Sequence, residues 1–168
     1  MTDVVAPLAI EAWAVRGTRL GMGADHVKPG TVPVVIAGVC GAIDPSLRPG
    51  DLVLASEVRG DGEPIPCATD LAERLGARVG PLVSQDRIAG RADKAALRET
   101  GALAVDMESY RLAASAGDRP VAVVRAVVDR AGRRLLDPRT IPDGIRGLLA
   151  LRRVAHVLKD WAPVESRA

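Results

Sequence analysis

Three stretches of this chain place carboxylates directly after apolar runs. Glu11 follows VAPLAI, Asp106 and Glu108 follow LAV, and Asp129 ends VAVVRAVV. Each alone reads as a helix cap or a solvated turn, where acids are favoured anyway. Three such sites in a short chain, if their strand ends converge, suit acid–base work on a polar small molecule. A carboxyl flanked by Val127 and Val128 is pushed toward its neutral form when buried. A neutral carboxylic acid near pH 7 can protonate a leaving group. A better solvated carboxylate can activate water, and a third can accept hydrogen bonds from sugar hydroxyls. Carboxyl pairs split in this way are how glycosidic bonds are commonly broken.

Other chemistries find less support. Gly21-Met22-Gly23 lacks the third glycine of a dinucleotide fingerprint and no phosphate-binding loop motif occurs. Gly38-Val39-Cys40-Gly41 closes an apolar run. It reads either as a tight turn or as a place where backbone N–H groups approach a ligand. Cys40 and Cys67 have no zinc spacing with His26 or His156. No metal or organic cofactor is expected. The 23 basic and 21 acidic residues are interspersed, and only Lys28, Lys94 and Lys159 are lysines. Without a basic stripe, and with aromatics at 2% and no Phe, a nucleic-acid partner is not expected. The N-terminus has no basic region before an apolar run, and Glu11 interrupts that run, so a cytoplasmic protein with reduced thiols and no membrane span is expected.

The elements that must position these acids alternate along the chain. With 168 residues, one domain spanning residues 1–168 is expected. Strands are predicted at residues 4–9, 19–21, 31–39, 52–58, 79–84, 102–105 and 120–128. Helical segments are predicted at 11–16, from a cap at Thr69 or Asp70 to Leu75, at 91–100, at 109–115 and at 145–161. Residues 60–66 (GDGEPIP) read as a loop, and Gly101 and Gly117 as helix stops. The apolar runs do not alternate with polar residues, so the strands are buried on both faces. The result is an α/β fold with a central, mostly parallel or mixed sheet flanked by helices. In such sheets ligands gather beyond the carboxyl ends of the strands.

Four stretches together resemble the nucleoside phosphorylase family that includes methylthioadenosine/S-adenosylhomocysteine nucleosidase. Residues 34–58 (VVIAGVCGAIDPSLRPGDLVLASEV) are similar to its strand, glycine turn and "DPSL..GD" block. Residues 105–109 (VDMES) resemble its ribose-binding segment. Residues 124–129 (VRAVVD) resemble the strand that carries its general acid, and residues 6–11 its first strand, ending in a water-activating Glu. The resemblance implies a three-layer phosphorylase/hydrolase-like fold and cleavage of the N-ribosidic bond of an adenine-type purine nucleoside, by water or phosphate. It implies Asp129 as the acid at purine N7, Glu11 as the residue that activates water, Glu108 on the ribose hydroxyls and Met107 against the sugar. Val39, Ile88 and Ala89 would line the substrate site, the last two within SQDRIA. A homodimer is also implied.

The chain departs from that pattern in several places. Residues 24–30 (ADHVKPG) stand where the family has a full helix. Val39 and Val128 stand where Ser is frequent. Ile36 stands where hexameric phosphorylases have a phosphate-binding Arg, which tilts the reading toward hydrolysis, with phosphate as an alternative co-substrate. The shortened N-terminal half also resembles phosphorylases of hopanoid biosynthesis that act on an adenosyl lipid. A non-catalytic, nucleoside-binding descendant is the alternative of another class.

Overall fold

The structure, a computed structural model, describes residues 2–21, 26–129 and 140–163. The elements are β1 (Asp3–Ala6), α1 (Ala9–Val15), β2 (Thr18–Arg19), β3 (Val34–Ala42), β4 (Leu52–Arg59), β5 (Ile65–Pro66), α2 (Ala72–Leu75), β6 (Arg78–Ser84), α3 (Arg91–Arg98), β7 (Ala104–Asp106), α4 (Ser109–Ser115), β8 (Val121–Asp129) and α5 (Thr140–Lys159). All eight strands belong to one sheet. It is mixed: β3 and β8 run parallel, as do β4 and β6, whereas β4 and β8 are antiparallel.

The long strands bury both faces because their odd and even residues are both apolar. Val35 and Ala37 of β3, with Ala122, Val124 and Ala126 of β8, pack under α1 and α5, where Leu151, Leu158 and Trp161 meet them. Val34, Ile36 and Cys40, with Val121, Val123 and Val127, face the other way toward Leu112 and Ala113 of α4. Helix, sheet and helix form three layers, as the uninterrupted apolar runs require.

One pairing detail creates the site. The edge of β3 away from β8 is shared. β1 pairs with Val34, Val35 and Ile36, and β7 pairs antiparallel with Gly41 and Ala42. β6 then joins β7 to β4, and β4 joins β8, so the pairings run from β3 through β8, β4, β6 and β7 back to β3. Between the β1 and β7 stretches, residues 37–40 of β3 have no strand on that edge. The register of β3 on β8 also shifts between Cys40 and Gly41, so that Asp129 rather than Val128 stands opposite Gly41. Such an irregularity re-aims a side chain beside a site.

Several sequence expectations shift. Gly38 and Gly41 do not form a turn; β3 runs through both and ends at Ala42. Thr69 and Asp70 do not cap α2: its N-cap is Leu71, without a side-chain cap, and the Asp70 carboxylate accepts the Trp161 indole N–H instead. The loop read over residues 60–66 contains the short strand β5, which pairs with Glu57 and Val58. α5 begins earlier than expected. Pro142 is tolerated in a first turn, and Gly147 lets the helix approach β8: a Cβ there would lie 2.6 Å from Val128 Cγ1. Gly23, from the weak glycine motif, lies outside the described residues. No helix among them is long and apolar enough to cross a membrane.

Candidate active site

The open edge of β3 is filled from α1. Glu11 is the third residue of that helix and its side chain is buried. One carboxylate oxygen accepts the Leu8 N–H at 2.8 Å and the other the Val39 N–H at 2.9 Å. The first bond closes the helix start. The second satisfies a strand donor that has no neighbouring strand. Glu11 thus serves as a cap, the bland sequence reading, and still faces the cavity.

Beneath it lies Arg125, in the middle of β8 and 1% exposed. Its Nε is 2.7 Å from Asp106 Oδ2, and its Nη2 donates to Ser109 Oγ at 2.7 Å. Burial works against its charge, but Asp106, Glu11 and Glu108 around it hold the guanidinium above its ordinary pKa. The guanidinium can approach β3 this closely because residue 38 is Gly: a Cβ there would stand 1.8 Å from Arg125 Nη1 and 3.0 Å from Glu11 Oε1. Asp106 also accepts the Ser84 hydroxyl at 2.8 Å, which ties β6 to β7. Two residues on, Glu108 is half-buried and makes no side-chain hydrogen bond among the described residues. Burial raises its pKa, Arg125 opposes that, and the nearby Asp106 and Glu11 add to it.

Asp129 ends β8 and is 3% exposed. Lys94 of α3 donates to both of its oxygens at 2.8 Å, and the Ala42 N–H donates to Oδ1 at 3.1 Å. Gly41 makes room: a Cβ there would be 2.8 Å from Asp129 Oδ1 and 2.9 Å from Lys94 Nζ. Burial pushes the Asp129 carboxyl upward, Lys94 pulls it down, and the net direction is up. The direction expected from its two valine neighbours is the one found.

A cavity of about 300 Å3 joins these groups. Glu11, Val39, Ile88, Ala89, Met107, Glu108 and Asp129, the residues singled out in the sequence, all line it. Ile36 does not; it is buried in the core on the α4 side. Leu8, Cys40, Arg87, Lys94, Val105 and Val128 complete most of the wall. Arg87 is held by Asp93 through two bonds of 2.7 and 2.8 Å. The Cys40 thiol is buried and its pKa is pushed far up, so it stays protonated. Among the described residues no group of three His, Cys, Asp or Glu side chains is placed to hold a metal ion.

Sequence reasoning missed Lys94 and Arg125 as parts of this site. Arg125 carries a signal: a charge inside a strand buried on both faces must find partners. Lys94 carries less, since a lysine in RADKAALR reads as solvated.

The fold is three-layer α/β, with carboxylates gathered around a cavity at a gap in the edge of β3. No protein-family model matches the chain. A futalosine hydrolase from Streptomyces coelicolor is 32% identical over 161 residues, 79% of this chain and 68% of that protein. The chain therefore belongs to the nucleoside phosphorylase family of methylthioadenosine/S-adenosylhomocysteine nucleosidase-like enzymes, which cleave N-glycosyl bonds. Solved structures share the fold at low identity. The Helicobacter pylori methylthioadenosine/S-adenosylhomocysteine nucleosidase, a mutant with 5′-methylthioadenosine in its active site, superposes with a TM-score of 0.74 at 13% identity, covering 95% of this chain and 97% of that one. The Colwellia psychrerythraea enzyme with adenine gives 0.70 at 17%, covering 97% of each. The Arabidopsis thaliana 5′-methylthioadenosine nucleosidase gives 0.70 at 17%, covering 99% of this chain and 96% of that one.

Proposed function

We propose that this chain hydrolyses the N-ribosidic bond of an adenine-type purine nucleoside. The observation that carries this reading is the meeting of Glu11, Glu108 and Asp129 in one cavity with a mostly aliphatic wall. Asp129, its pKa raised, is the general acid at purine N7. Glu108 accepts hydrogen bonds from the ribose hydroxyls, with Met107 against the sugar and Val39, Ile88 and Ala89 along the substrate. Glu11, its carboxylate aimed by two backbone N–H groups, orients and deprotonates the attacking water. As the C1′–N9 bond breaks, its electron pair goes to the base and Asp129 supplies the proton to N7. Hydroxide equivalent from water joins C1′, and Glu11 takes the released proton. The negative charge of Glu108 and Glu11 favours the oxocarbenium character that develops at C1′.

Water is favoured over phosphate as the nucleophile by the charge arrangement. A phosphate dianion would enter beside Glu11 and Glu108, while Arg87 and Lys94 in the cavity wall are already engaged by Asp93 and Asp129. Base release from methylthioadenosine, S-adenosylhomocysteine, adenosine and inosine, each with and without phosphate, tests this. Phosphate-independent release that is lost in Asp129→Asn is expected. Release only with phosphate would make the chain a phosphorylase. Binding without release from any of the four, unchanged in Asp129→Asn, would make it a nucleoside-binding protein.

A second reading rests on the mouth of the cavity. Ile88 is 47% exposed there and Leu8 is half-buried. An aliphatic mouth suits an apolar 5′ substituent, including an adenosyl lipid. Faster release from a 5′-alkyl nucleoside than from adenosine would favour it. The assembly proposed is a homodimer, and a sedimentation mass matching one 17.6 kDa chain would remove that part of the reading.

A further inference from the structure

We propose that Lys94 is a positioning residue for the acid: it holds the Asp129 carboxyl in the cavity wall and takes up its negative charge as the proton leaves for the base. This inference rests on the reading of Asp129 as the proton donor. Three observations carry it. Lys94 Nζ lies 2.8 Å from both Asp129 oxygens, a symmetrical grip that leaves the carboxyl little rotation. The ammonium is only 4% exposed, so its charge acts without the screening of bulk water. And the pair lines the cavity rather than the core between the layers.

A purely structural role explains this placement poorly. Lysine is almost never buried unless paired, and a buried ion pair adds little net stability over well-packed apolar residues. Here α3 projects a lysine to the carboxyl that must become negative as the base leaves. Gly41 gives up its side chain to admit both groups. Among the described residues, the groups that face Asp129 are Lys94 from α3, the Ala42 N–H and the Cys40 thiol from β3, and Asp143 from α5. Asp143 is itself paired with Arg146 at 2.7 Å, and the thiol stays neutral. Lys94 is thus the strongest influence opposing burial at this carboxyl.

The proton balance is simple. The neutral Asp129 carboxyl gives its proton to N7 and becomes a carboxylate. Lys94 keeps its own protons throughout and shortens its hold on the oxygen that has just lost one. Without the ammonium, the carboxyl would keep its proton to higher pH and yield it less readily.

The test uses the full chain with Lys94→Met and Lys94→Arg. Carbon NMR of labelled aspartate carboxyls, with Asp129→Asn for assignment, reads the Asp129 titration directly and needs no turnover. In Lys94→Met the midpoint should rise by about one pH unit or more, as for loss of an opposite charge within contact distance. In base release from methylthioadenosine, kcat should fall by roughly 10- to 100-fold with KM within about threefold, the pattern of an interaction made in the transition state. The high-pH limb of the rate profile should move upward, and Lys94→Arg should restore most of both readouts. If Lys94→Met fails to fold, Lys94→Gln, which keeps a donor without the charge, serves for the same titration. An Asp129 midpoint unchanged by loss of the charge would overturn the proposal, as would a rise in KM with kcat intact. Should the wild type release no base from any nucleoside, the functional reading falls, while the titration still decides whether Lys94 governs Asp129.

Discussion

Two charge clusters share the cavity wall and are built on opposite plans. At Asp129, one ammonium faces one carboxyl group, and the backbone adds a single N–H. At Arg125, one guanidinium answers to three acids, Asp106, Glu11 and Glu108. The first arrangement balances charge locally, so a small change in surroundings decides where the proton sits. The second leaves excess negative charge on the cavity side, which suits a cationic transition state. Planar geometry explains the assignment. A guanidinium offers five donors in a fixed fork and serves several oxygens at once, whereas an ammonium acts as a compact point charge. Cys40 lies between the two clusters and feels both, yet its thiol remains protonated and inert.

The contrast can be broken at either cluster. The largest effect is expected at Asp129: Asp129→Asn should reduce kcat for base release by about 10²- to 10⁴-fold, the range for a general acid, while circular dichroism shows the fold retained. Arg125→Met should act on stability instead. It strands buried Asp106 and Glu11 without their counter-charge, and urea unfolding should show a loss of about 3–5 kcal/mol. Gly38→Ala comes next. Its methyl group must displace a guanidinium pinned by Asp106 and Ser109, costing about 1–3 kcal/mol. That loss should shrink in an Arg125→Met background, where the clashing atom is gone.

The smallest effect concerns pH. Burial raises the Glu108 carboxyl, so the fold prefers its neutral form. Stability from this group is present below its ordinary pKa of 4.5 and is lost as pH rises through the higher folded value. Glu108→Gln should therefore raise Tm at pH 7 and leave it nearly unchanged below pH 4. A lower Tm at pH 7 would mean that Arg125 depends on Glu108 as much as on Asp106.

Much of the architecture was legible along the chain. The buried strands, the helix at residues 109–115 and the acids after apolar runs are local patterns, set by hydrophobic periodicity and by glycine stops. For the glycines of β3 the sequence leaves a tight turn and a close backbone approach both open, and the turn is the one not found, for a physical reason. Gly38 and Gly41 look like turn residues in sequence, but they are empty space for side chains that arrive from β8 and α3, 53 to 88 positions away. Likewise Asp70 looks like a cap until the indole of Trp161 is folded against it.

By itself, then, the sequence determined which side chains can titrate, which runs must be buried, and that the fold is α/β with its acids at strand ends. Only the tertiary structure decided that Glu11 fills the gap between β1 and β7, that the shifted register brings Asp129 opposite Gly41, and that Lys94 grips it there. Periodicity is a property of neighbours in the chain. The strength of a charge–charge contact depends on distance and burial, and both are fixed only when strands far apart in sequence are laid side by side.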